Sequence, residues 1–111
     1  MVNYHYYAIF LAAPKIFVPA RFVDVAVFDK GEDVVLKIPF TGYPRPEAIW
    51  RRDNEEIESG AHYTVETGER HAILIIKQAA QDDNGNYRLI VRNELGEDTC
   101  VIKVQINGKV I

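Results

Sequence analysis

Asp82-Asp83-Asn84-Gly85-Asn86-Tyr87-Arg88-Leu89-Ile90-Val91 turns a tight corner and then feeds a strand. Asp, Asn and Gly supply the corner because they tolerate turn dihedrals. Tyr87, Leu89 and Val91 then recur at every second residue, which places them on one face of a strand. Arg88 points the other way. The inward row is bulky, so it needs a second layer to pack against.

Two further stretches supply that layer. Ile38 closes the alternating run Val34-Val35-Leu36-Lys37-Ile38, and Trp50 follows a dozen residues later in Ala48-Ile49-Trp50-Arg51. With the Asp-x-Gly-x-Tyr corner, this order resembles the immunoglobulin fold. There a tyrosine hydroxyl bonds back to the backbone before the corner, and a buried tryptophan packs on the link between the sheets. In that resemblance Ile38 and Leu89 stand where extracellular members carry their two cysteines. Pro14-Lys15-Ile16-Phe17, Lys30-Gly31-Glu32, Gly42-Tyr43-Pro44-Arg45-Pro46-Glu47 and Asn93-Glu94-Leu95-Gly96-Glu97 also fall in family order. The chain is therefore similar to the intermediate-set (I-set) immunoglobulin domains of giant sarcomeric muscle proteins of the twitchin and titin type. The resemblance implies an all-β Greek-key sandwich without an intradomain disulfide. It covers residues 14–107, with Ile38, Trp50, Leu74, Tyr87 and Leu89 as core.

Composition agrees. A chain of 111 residues allows one domain with one core. The net charge of −3 gives no basic footprint for nucleic acid and no polybasic membrane patch. The one cysteine, Cys100, cannot form an intramolecular disulfide. Losing such a bridge typically costs ~2–5 kcal/mol. Burying two branched aliphatics recovers about 1.5–3 kcal/mol each. The pair Ile38 and Leu89 is thus a workable replacement in a reducing cytosol. No asparagine starts an Asn-x-Ser/Thr acceptor. Residues 1–13 are aromatic and apolar but hold no Lys or Arg, so they read as a linker or an added extension rather than a signal peptide. Residues 108–111 read as a tail.

Taken in order, the periodicity predicts a split first strand, Lys15–Val18 and then Phe22–Phe28, with Val23, Val25 and Val27 on one face. Pro39 is expected to end or bulge the second strand, because proline cannot donate to a ladder. Ala72, Leu74 and Ile76 are expected inside, leaving Ile73 and Ile75 outside. Cys100 falls in an apolar row with Ile102, Val104 and Ile106, as a small core residue rather than a reactive thiol. Relatives often pair the corner aspartate with an arginine ahead of the fourth strand. Here Gly60-Ala61-His62-Tyr63 puts that pairing in doubt.

No catalytic, metal-ligating or cofactor-binding pattern is present. His5, His62 and His71 lack ligand spacing with one another or with Cys100. The glycines are single turn residues rather than a phosphate loop. Exposed turn and sheet residues remain: Tyr43 and Arg45, Glu94 and Leu95, and the Ile73/Ile75 face are candidate protein contacts. The resemblance implies a non-enzymatic structural and docking link in a cytoplasmic filament protein of the sarcomere. It would add mechanical stability and spacing, beside immunoglobulin or fibronectin-type neighbours and other sarcomeric proteins, in a parent that can carry a separate kinase domain. The competing reading is a recognition domain of an adhesion or signalling receptor. Ile38 and Leu89 in place of cysteines argue against it.

Overall fold

Apolar residues at alternate positions of five strands meet across one interior. The structure, a computed structural model, describes residues 10–108. Its strands are β1 (Ala12–Ile16), β2 (Ala26–Asp29), β3 (Val34–Tyr43), β4 (Glu47–Arg52), β5 (Glu55–Glu56), β6 (Tyr63–Thr67), β7 (His71–Ile76), β8 (Gly85–Asn93) and β9 (Gly96–Asn107). They form a four-stranded sheet, β1-β3-β7-β6, and a five-stranded sheet, β2-β9-β8-β4-β5. Strand β2 runs parallel to β9, whereas the other pairs are antiparallel. Val34, Leu36 and Ile38 from β3, Ala72, Leu74 and Ile76 from β7, Trp50 from β4, and Tyr87, Leu89 and Val91 from β8 are all fully buried in one cluster. Register places Leu89 between Trp50 and Cys100. The Trp50 indole N–H is buried with no acceptor. That costs about 1–3 kcal/mol, against the large apolar area the ring buries.

The first strand departs from expectation in both halves. Strand β1 starts at Ala12 and ends at Ile16, so residue 14, the expected domain start, lies inside it. The second half is a single 3-10 turn, Ala20–Phe22, followed by β2 from Ala26. Ala26 is the inward residue, while Val23 and Val27 are exposed. The three valines repeat with period two but do not share a strand. The turn buries Phe22 and resets the phase before β2 meets β9. Pro39 neither ends nor bulges its strand. It stays in register with His71, and its carbonyl accepts the Phe17 N–H at 2.9 Å. In an antiparallel strand a residue's N and O point to the same side. The missing donor of Pro39 therefore faces the end of β1, and the pairing with β7 loses nothing.

The corner is built as a network. Tyr87 donates its hydroxyl to the Asp83 carbonyl at 2.7 Å, and burial pushes this phenol well above its usual pKa. Asp83 is itself buried; its Oδ2 accepts the Ala80 N–H at 2.8 Å. Its Oδ1 lies 2.7 Å from His62 Nε2 and 3.8 Å from Arg52 Nη1. The corner aspartate is thus paired after all, by the histidine of the doubtful segment and by an arginine from β4. Arg52 also donates to the carbonyls of Asp82 and Asn84, and its guanidinium covers the Tyr87 ring.

Candidate protein-contact surface

The chain enters at the end of the sandwich where β3 turns into β4 and β8 turns into β9. Asn93 organises this end. Its Nδ2 donates to the Ala12 carbonyl at 2.9 Å and to the Pro44 carbonyl at 3.0 Å, and its Oδ1 accepts the Leu95 N–H at 2.9 Å. One side chain therefore ties the incoming strand, the proline loop and the hairpin together. The signal was an Asn opening a two-residue loop that ends in Gly, since Asn side chains bond the backbone two residues on. The multiple partners could not be read from that signal.

Tyr43, Arg45, Glu94 and Leu95 surround this clamp. Tyr43 is 51% and Leu95 44% exposed. Arg45 and Glu94 share a concavity with Pro44, Glu47, Arg92 and Asn93, in which Arg92 Nε bonds Glu47 Oε1 at 2.6 Å. Tyr43 and Arg45 also line a basin of about 490 Å³ with Phe40, Thr41, Gly42, Glu69 and Arg70. Among the described residues, Phe10 and Leu11, immediately before β1, are the most exposed large apolar side chains beside Val23. The result is a mixed apolar and charged surface at the point of chain entry.

Ile73 and Ile75 lie apart from this end, on the outer face of the four-stranded sheet. They are half-buried rather than exposed. Lys37 and Glu66 flank Ile73 in register, and Val35 and Thr64 flank Ile75. Neighbouring side chains thus take up much of their surface, and the chain-entry end offers more free apolar area.

Asp98 makes an inter-sheet contact that periodicity did not reveal. It sits on β9, yet its Oδ2 accepts the Ile16 N–H of β1 at 2.8 Å. It thereby fastens the first strand of one sheet to the last strand of the other. Nearby Cys100 is half-buried, and burial, aided by Asp98, pushes its thiol up to about 11. Among the described residues, no three His, Cys, Asp or Glu side chains are grouped to hold a metal ion.

Two packed sheets, a split first strand and a tyrosine corner define an immunoglobulin-like β-sandwich. The family model of the immunoglobulin I-set domain matches residues 19–106, and the chain belongs to that family. Human myosin-binding protein H is 36% identical over 99 residues, covering 89% of this chain and 20% of that protein. The titin homolog of Caenorhabditis elegans is 34% identical over 90 residues, 80% of this chain and a share of that giant that rounds to 0%. The chain thus spans a fifth of the first relative and a minute part of the second. Among solved structures, titin domains A168–A170 match with a TM-score of 0.81 at 26% identity, over 85% of this chain and 33% of that one.

Proposed function

We propose that this domain is one link of a filament protein in the sarcomere of muscle cytoplasm, bearing load, setting spacing and docking neighbours. The observation that carries the reading is the divided first strand. Strand β1 pairs with β3 in one sheet, and β2 pairs in parallel with β9 in the other. The chain enters beside the β8–β9 hairpin and leaves past Asn107, at the far end of β9. Tension between the ends therefore shears the β2–β9 ladder along its length instead of peeling it one bond at a time. The clamp at Asn93 and the exposed Tyr43, Arg45, Glu94 and Leu95 suit contact with an immunoglobulin or fibronectin-type domain joined through residues 1–13. The domain itself is taken as 14–107, extended by the two alanines that open β1. Myosin-binding protein H is named for binding myosin, so myosin is the sarcomeric partner to test first. No step of this role is catalytic, and a kinase would belong to another part of a parent protein.

Single-molecule pulling between the two ends tests the mechanical part. The expected trace is one cooperative rupture that releases roughly 300 Å of chain, the extended length of residues 12–107 less their folded span. Gradual yielding without a force peak would overturn it. Cosedimentation with myosin filaments tests the docking part, with Arg45→Glu and Leu95→Ala expected to weaken any binding.

A further inference from the structure

The sequence holds two Asn-Gly pairs, Asn84-Gly85 and Asn107-Gly108, and the fold treats them in opposite ways. Such a pair can react with itself, because glycine brings no Cβ to shield its backbone nitrogen from the asparagine side chain. Ring closure needs the side-chain amide carbon to swing onto that nitrogen, which takes rotation of the asparagine backbone. Asn84 is half-buried in the corner and held at every point that must move. Its Nδ2 donates to the Gln81 carbonyl at 2.8 Å, and its Oδ1 accepts the Ile106 N–H at 2.8 Å. Its own carbonyl accepts a bond from Arg52 Nη2 at 2.9 Å, and that guanidinium lies against Gly85, 3.5 Å from where a Cβ would stand. Asn107 is exposed at the last position of β9, and Gly108 lies past the strand, also exposed. Asn107 Oδ1 accepts a bond from Gln105 Nε2 at 2.9 Å. That donor sits on the oxygen, draws electron density from the amide carbon and leaves the amide nitrogen unrestrained by it. The backbone there is tied by the Lys30 N–H, which the Asn107 carbonyl accepts at 2.9 Å where the β2–β9 ladder ends.

We propose that Asn107 is a site of spontaneous deamidation and that the corner protects Asn84 from the same reaction. The Gly108 backbone nitrogen gives its proton to solvent base and attacks Cγ of Asn107. The new N–C bond closes a cyclic imide, and Nδ2 departs as ammonia after taking a proton from water. Water then opens the imide at either carbonyl. One opening yields aspartate; the other yields isoaspartate, whose main chain runs through the former side chain. Water is consumed, ammonia is released and nothing is oxidised or reduced. Either product puts a carboxylate beside Asp29, which pairs with residue 107 in register. Glu32 already stands there, its Oε1 accepting the Asp29 N–H at 2.6 Å. Like charges on facing residues destabilise a strand pair. The end of the β2–β9 ladder therefore loosens as the chain ages.

The test incubates the chain at neutral pH, both folded and in urea, and then digests it with trypsin. Mass spectrometry follows the amide-to-acid mass gain in the peptides of residues 78–88 and 104–109, and isoaspartyl methyltransferase counts the isoaspartate. In urea the two asparagines are expected to convert at similar rates. In the folded chain Asn107 is expected to convert about tenfold or more faster than Asn84, where a bond to a charged group must also open. Equal rates in the folded chain, or faster conversion at Asn84, would overturn the proposal. Gly108→Ala is expected to slow conversion at Asn107 without disturbing the fold, since its Cβ meets the flexible end of Gln81 at 3.1 Å. Conversion as fast as in the native chain would count against Gly108 as the nucleophile. Asn107→Asp supplies one product directly. Its Lys30 amide is expected to exchange about fivefold or more faster, the loss of a bond of ordinary net strength. An unchanged Lys30 rate would overturn the loosening of the ladder end.

Discussion

Replacing Asp83 by alanine probes the corner on which both sheets close. The side chain is 3% exposed and serves three partners at once. The alanine removes a charge-assisted bond to the Ala80 N–H, worth about 1.5–3 kcal/mol. It also removes the side-chain hydrogen bond with His62. That histidine is 45% exposed, so its share is no more than about 1 kcal/mol. The Arg52 contact, at 3.8 Å, adds little, because Arg52 is held chiefly by the carbonyls of Asp82 and Asn84. The expected cost is therefore about 2–4 kcal/mol, which for a domain of this size lowers Tm on the order of 10 °C or more. Asp83→Asn keeps one acceptor oxygen and is expected to cost roughly half as much. His62→Ala is expected to cost less than ~1 kcal/mol. Urea titrations followed by Trp50 fluorescence give all three values, with the slope unchanged if only stability moves. A cost below ~0.5 kcal/mol for Asp83→Ala, or equal costs for Asp83→Ala and His62→Ala, would refute this ranking of the three partners.

Other perturbations read other parts of the fold. Leu89→Ala leaves a cavity between Trp50 and Cys100 and is expected to cost about 2.7–5 kcal/mol by the same titration. Asp98→Ala frees the Ile16 N–H and is expected to lower the unfolding force in single-molecule pulling. Val25→Pro is expected to leave that force unchanged, because Val25 precedes β2 and lies outside its ladder. At pH 8, Cys100 is expected to react with iodoacetamide about a hundredfold more slowly than an exposed cysteine, given a thiol raised from 9.0 to about 11. The same shift favours the protonated folded state. Its contribution to stability is complete below about pH 9 and is lost as pH rises toward 11.

Strands with strong alternation were legible before any coordinates. Val34–Ile38, Ala72–Ile76, Tyr87–Val91 and Ile102–Ile106 each show their buried row in the letters alone, since one residue of slip would bury the charged set. The second half of the first strand was not legible. Three valines at period two imitate a strand, while the residue that turns inward, Ala26, carries almost no hydrophobic signal. A local turn around Phe22 decided the phase, and periodicity does not report turns that bury an aromatic ring. Pro39 misled for a related reason, because a proline breaks a ladder only on the side its nitrogen faces. The candidate surface was half legible. Turn chemistry marks Tyr43, Arg45, Glu94 and Leu95, but the bonds from Asn93 to Ala12 and Pro44 span 81 and 49 residues. Likewise Arg52 reaches the corner from 30 residues away. Contacts at such separation depend on the packing of sheets and leave no pattern in the chain.

Strand β9 runs twelve residues without interruption, from the hairpin beside the entering chain to the opposite pole. At roughly 3.3 Å per residue it measures about 40 Å. A series of such modules joined pole to pole would then behave as a graduated ruler. In the filament proposed above, each added copy would lengthen it by about one β9 plus the reach of the segment that joins it to the next.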